Sequence, residues 1–112
     1  MLSRLFHRSA RIDAGAAAAL FAEGRAVPLD VREKHEWKAG RISGASHVPL
    51  GSLAAKLAAN KIPSGQTVIC VCQSGMRSAR AQSPLERHGF EALNLSGGMR
   101  RWRAAGLPEV TR

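Results

Sequence analysis

The sequence predicts an α/β fold, an open and mainly parallel sheet of about five short strands with helices on both faces. Three observations predict it. Short apolar stretches alternate with stretches of helical character along the whole chain. "TVICVC" (67 to 72) is apolar and β-branched enough to be a central strand buried on both sides. Asp30 and Cys72 stand at the carboxyl ends of expected strands, where sheets of this kind place their ligand-binding loops. The 112 residues, 45% of them hydrophobic, suffice for one core and are too few for two. A single domain over 1–112 is expected, with residues 1 to 11 as a mobile basic end.

The elements follow in order. Asp13 caps a helix over "AGAAAALFAEG", whose alanines favour helix and which Gly24 ends. "AVPLDV" (26 to 31) is a short buried strand carrying Asp30 near its end. "REKHEWKAG" is a short helix closed by Gly40, and "GASHVPL" holds a brief strand stopped by Pro49. Leu53 and Leu57 repeat at helical spacing in "GSLAAKLAANK". After the central strand, Arg77 to His88 reads as a helix ended by Gly89. Pro84 removes one of its hydrogen bonds, at a cost of ~3 kcal/mol, and a kink or early break is expected there. "EALNL" is another strand, "GGMRRWRAAG" a last helix and "LP" its stop.

Composition narrows the function classes. No 18-residue apolar stretch spans a membrane, and "MLSRLFHRSARID" lacks the continuous apolar region of a secretory signal. Cys70 and Cys72, two apart on one strand, point in parallel and are poorly placed for a disulfide, so a reduced, cytoplasmic protein is expected. Their spacing, with His7, His35, His47 and His88 scattered, matches no usual ligand pattern, and neither metal nor cofactor is expected. The net charge is +9. Residues 77 to 103 set six arginines against only Glu86 and Glu91, which favours an approaching anion. Aromatic residues make up 4% of the chain and tyrosine is absent, so nucleic acid is not the expected partner.

The chemistry concentrates after the central strand. A thiol at a helix N-terminus loses its proton more readily than a free one, because unpaired N–H groups and the helix dipole favour the thiolate. "Cys72-Gln73-Ser74-Gly75-Met76-Arg77" has that arrangement: Gly75 lets the loop curl, the amides of residues 73 to 77 converge as an anion cradle, and Arg77 adds a fixed charge. Asp30 and Arg32 either orient this loop electrostatically or form a buried structural ion pair. Ser78 either donates to an anion or caps backbone. Cys70 reads as core, Trp37 and Trp102 as packing under loops with Trp102 near the pocket's edge, and His47 receives no role.

Three stretches carry a family likeness over nearly the whole chain. "PLDVREKHEWKAGRISGASHVPL", "VCQSGMRSA" and "LNLSGGMRRWRAAGLP" resemble, in order and spacing, the aspartate-arginine, cysteine-loop and glycine-tryptophan motifs of the rhodanese family. The resemblance implies a sulfurtransferase. Cys72 would take the outer sulfur of thiosulfate or of a protein or small-molecule persulfide, hold it as a persulfide, and pass it to a thiol or cyanide. An alternative from another class is a non-enzymatic sulfur-relay or protein-interaction module working through the basic 77 to 103 surface. Gln73 departs from the arginine common after the family's cysteine, and "GHI" appears as Gly40-Arg41-Ile42. A cysteine-loop phosphatase or arsenate reductase fits less well, since it places five residues between cysteine and arginine, and here four intervene.

Overall fold

A computed structural model describes residues 10–112. Five strands form one parallel sheet: β1 (Arg11–Ile12), β2 (Ala26–Asp30), β3 (Ser46–His47), β4 (Thr67–Val71) and β5 (Ala92–Leu95), in the order β1-β5-β4-β2-β3. The helices are α1 (Ala14–Ala22), α2 (Lys34–Ala39), α3 (Leu53–Ala58), α4 (Met76–Arg87) and α5 (Gly98–Ala104), with a 3-10 turn at Leu50–Ser52.

The composition of β4 explains its central place. Val68, Ile69, Cys70 and Val71 are all buried, which requires cover on both faces. Side chains alternate across a strand, and here they feed two separate cores. Val68, Cys70 and Cys72 pack with Leu53 and Leu57 of α3 and Ala81 and Leu85 of α4. Ile69 and Val71 pack on the other side with Ala14 and Ala17 of α1 and Met99 and Trp102 of α5. The expected open α/β sheet with helices on both faces is therefore the architecture found.

Two elements differ from expectation. The basic end was expected to be mobile through residue 11; residues 1 to 9 lie outside the described part, but Arg11 pairs with Asn94 and Ile12 with Leu95. The Asn94 N–H donates to the Ala10 carbonyl at 3.1 Å, and Gln82 Nε2 reaches the same oxygen at 2.9 Å, so the chain is tied down from Ala10 onward. Helix α4 does not break at Pro84 but runs on to Arg87. Leu85, fully buried, anchors the turn, and the His88 N–H bond to the Pro84 carbonyl (3.3 Å) continues it, offsetting the lost bond. Among the described residues no helix is long and apolar enough to cross a membrane.

Candidate active site

β4 delivers its last side chains to the rim of the sheet, and there the chain turns within three residues before α4 begins. Cys72 is 1% exposed, so its sulfur lies at the floor of the loop. Gly75, the residue before α4, has φ +105°, a left-handed conformation that glycine adopts without a steric penalty. That turn brings the Gly75 N–H to within 2.9 Å of Cys72 Sγ. Ser78 Oγ lies 3.4 Å from the same sulfur. Burial pushes the thiol's pKa up, but the Ser78 hydroxyl and the amides of Ser78, Gly75 and Ser74 outweigh it and hold the pKa below the ordinary value. The balance favours a thiolate.

Asn94 sets the loop's hydrogen-bond sense. Its Nδ2 donates to the Gly75 carbonyl at 2.9 Å, which leaves Oδ1 to accept from Ser78 Oγ. The Ser78 hydroxyl has one proton and two acceptors, Asn94 Oδ1 and Cys72 Sγ. A neutral thiol can itself donate to Ser78 Oγ, while a thiolate draws the hydroxyl proton to sulfur. Ser78 therefore serves the anionic form. Ser78→Ala should move the midpoint of Cys72 alkylation against pH upward. An unshifted midpoint would remove Ser78 from the cradle.

The loop is also held from the far side. The Met99 N–H donates to the Cys72 carbonyl at 2.8 Å and the Arg100 N–H to the Gln73 carbonyl at 3.1 Å. With those two carbonyls bound to the first turn of α5, the following amides are left to face the sulfur. This contact needs Gly98 (φ +55°): a Cβ there would lie 2.3 Å from the Cys72 carbonyl oxygen.

The other expected site residues divide. Gln73, Ser74, Gly75 and Met76 form the loop between Cys72 and Arg77 as expected, and Ser78 joins them at the sulfur. Arg77 is held by a carboxylate: its two terminal nitrogens donate to Glu36 on α2, at 2.6 and 2.8 Å, while its charge still interacts with Cys72. Asp30, in register with Val71 beside the start of the loop, bonds Arg32. Both are fully buried, joined by bonds of 2.8 to 3.1 Å, and Arg32 also donates to the Gly40 carbonyl at 2.7 Å, the geometry of a structural ion pair. His47 Nε2 bonds the Arg32 carbonyl and its ring stacks on Trp37 at 4.6 Å. Trp102 lies in the core with its Nε1–H donating to the Pro108 carbonyl. Glu36, Asn94 and Gly98 are the site residues that sequence reading missed; the "GG" of "LNLSGGMRRW" was the one visible signal.

The model of the rhodanese-like domain matches residues 13–105. The chain belongs to the rhodanese-like family. Within that family, a sulfurtransferase of Allochromatium vinosum is 34% identical over 83 residues, 73% of this chain and 76% of that protein. The uncharacterized protein YqhL of Bacillus subtilis is 39% identical over 79 residues, 70% of this chain, which spans 61% of YqhL's length. The crystal structure of a rhodanese-related protein from Thermoplasma volcanium superposes with a TM-score of 0.83 at 26% identity, covering 92% of this chain and 99% of that one. The rhodanese-like sheet, with a cysteine loop between β4 and α4, is the scaffold on which the site stands.

Proposed function

We propose that this rhodanese-like chain is a sulfurtransferase, carrying sulfane sulfur from thiosulfate or a persulfide donor to a thiol or cyanide acceptor as a persulfide on Cys72. One observation carries the reading: Cys72 Sγ receives the Gly75 N–H at 2.9 Å and the Ser78 hydroxyl at 3.4 Å, donors that stabilise sulfur as an anion. The thiolate attacks the outer sulfur of the donor, whose inner group leaves with the bonding electron pair. The persulfide that forms keeps a negative charge one sulfur further out, beside the same amides. The acceptor then attacks that terminal sulfur and Cys72 leaves as a thiolate. The donors that lower the Cys72 pKa favour its ionised form, which reduces the need for a general base.

The depth of the sulfur also argues for this chemistry. A thiol only 1% exposed suits a slim terminal sulfur atom and obstructs a bulky phosphate ester. Arg77, which a phosphatase would aim at its phosphate, is bonded to Glu36 instead. Two free, buried cysteines suit a reducing compartment such as the cytoplasm.

A relay with a partner protein is the second reading, and one observation favours it. Met76, a large apolar side chain 78% exposed, stands at the rim of the loop, with Arg80, Arg100 and Arg101 exposed on the helices that start there. Apolar and cationic groups around a reactive sulfur suit an acidic protein surface.

The test is mass spectrometry of the intact protein after incubation with thiosulfate or with a persulfide. Cys72 should gain one sulfur atom, and reductant should remove it. Protein that stays unloaded by either donor would end the reading. Steady-state turnover of thiosulfate with cyanide separates the two forms: measurable turnover supports the enzyme, while loading only from a partner's persulfide supports the relay.

A further inference from the structure

We propose that Glu36 is a specificity-determining residue: it withholds Arg77 from small dianions, so that the donor to Cys72 is a persulfide on a thiol rather than thiosulfate. The inference rests on the sulfurtransferase reading and narrows its donor. Its basis is the placement of positive charge around the loop. Gln73 is neutral where a cation would adjoin the sulfur directly. Arg77, at the loop's end, gives both terminal nitrogens to Glu36. Arg103, the guanidinium that reaches Gln73 Oε1 at 3.5 Å, gives Nε and its second terminal nitrogen to Glu109 at 2.8 and 3.0 Å.

The Arg77–Glu36 contact is better built than an ordinary surface pair. It is bidentate, and its side chains are only 32% and 21% exposed. Glu36 Oε1 also accepts the Glu33 N–H at 3.0 Å, so the carboxylate is held at the start of α2 as well as by Arg77. Arg77 beside it lowers the Glu36 pKa to about 2, against an opposing push from burial, so the carboxylate stays ionised throughout the physiological range. Arg100 and Arg101 are exposed on α5, where solvent and salt screen them; they steer an anion inward without coordinating it.

Charge bookkeeping then discriminates between donors. Attack on thiosulfate brings a dianion against a thiolate, concentrating three negative charges; the S–S bond breaks and sulfite leaves as a dianion with the electron pair. A persulfide donor carries at most one negative charge, so attack on its outer sulfur gathers at most two, and only one through the neutral form R–S–SH. The new S–S bond forms on Cys72, the old one breaks, and RS⁻ leaves with the electron pair, later taking up the proton that the new persulfide releases. Backbone amides suffice for the second reaction. The first needs a side-chain cation that the carboxylates have already engaged.

The experiment compares second-order rate constants for loading Cys72, followed by mass, with thiosulfate and with freshly prepared cysteine persulfide. Wild-type protein should load from the persulfide faster, by about tenfold or more, the worth of one charge-assisted hydrogen bond. Glu36→Gln keeps an oxygen for the Glu33 N–H but releases Arg77 from its ion pair. It should raise the thiosulfate-to-persulfide ratio by roughly tenfold. Glu36→Gln combined with Arg77→Gln should return the ratio to the wild-type value. A wild-type preference for thiosulfate, or a ratio that Glu36→Gln leaves in place, overturns the inference while the sulfurtransferase reading stands. Loading by neither donor overturns both.

Discussion

Sulfur transfer should vanish in Cys72→Ser and survive in Cys70→Ser, although the two thiols are two residues apart and pack in the same core cluster. Both are almost wholly buried, so exposure does not distinguish them. Their hydrogen-bond surroundings do. Cys70 is enclosed in the apolar cluster with Leu57, Ala81 and Leu85; burial, reinforced by the neighbouring charge of Cys72, pushes its pKa up to about 12. Cys72, one strand period onward, leaves the ladder and meets the amides that lower its pKa. A serine hydroxyl at 72 keeps those bonds but does not ionise near neutral pH, so turnover should fall on the order of a thousandfold or more. At position 70 a hydroxyl would be buried among apolar side chains and should cost about 1–3 kcal/mol of stability while leaving turnover within about twofold. Initial rates and thermal denaturation of the two variants check both halves. The reverse pattern would place the nucleophile at Cys70.

Much of this is legible in the sequence, for a physical reason. Central strands of parallel sheets are covered on both faces, so "TVICVC" is distinctive, and a glycine three residues beyond its last cysteine marks the tight turn into the next helix. These signals are local. The two-residue edge strand β1 is not local, because its bonds come from Asn94 and Gln82, more than 70 residues away, and no composition marks a strand that short. The Arg77–Glu36 pair joins residues 41 apart, and from sequence Arg77 was as well suited to an anion as to a carboxylate. Asn94 looks like an ordinary strand residue until β5 is laid beside β4, where its amide reaches both the Gly75 carbonyl and the Ser78 hydroxyl. For Asp30 and Arg32 the sequence left two roles open; complete burial with mutual hydrogen bonds is the geometry of a structural pair.

Gly98→Ala should be the most damaging glycine substitution in the molecule, exceeding any at Gly75 within the cysteine loop itself. A Cβ at Gly75 would find the Gly97 amide nitrogen at 3.4 Å, a tight contact but not an impossible one, leaving chiefly the strain of φ +105°. At Gly98 the methyl would lie 2.3 Å from the Cys72 carbonyl oxygen and 2.7 Å from the Gln73 carbonyl carbon and oxygen. These are backbone atoms of the loop and cannot swing aside as a side chain would. Relief requires α5 and the loop to separate, which breaks the Met99 and Arg100 bonds to the Cys72 and Gln73 carbonyls and frees those peptides to rotate. Rotation turns the Ser74 and Gly75 amides off the sulfur. The expected cost is about 2–4 kcal/mol of stability from the two lost bonds, the clash and the left-handed alanine. In whatever protein remains folded, the pH midpoint of Cys72 alkylation should rise toward that of a free thiol. Gly24→Ala is the matched control: its φ is +70°, no atom lies within 4 Å of the added methyl, and its cost should be conformational strain alone, about 1 kcal/mol. A Gly98→Ala protein as stable as Gly24→Ala, with an unchanged alkylation midpoint, would mean that α5 does not hold the loop and that the cradle's shape is set by residues 72 to 78 alone.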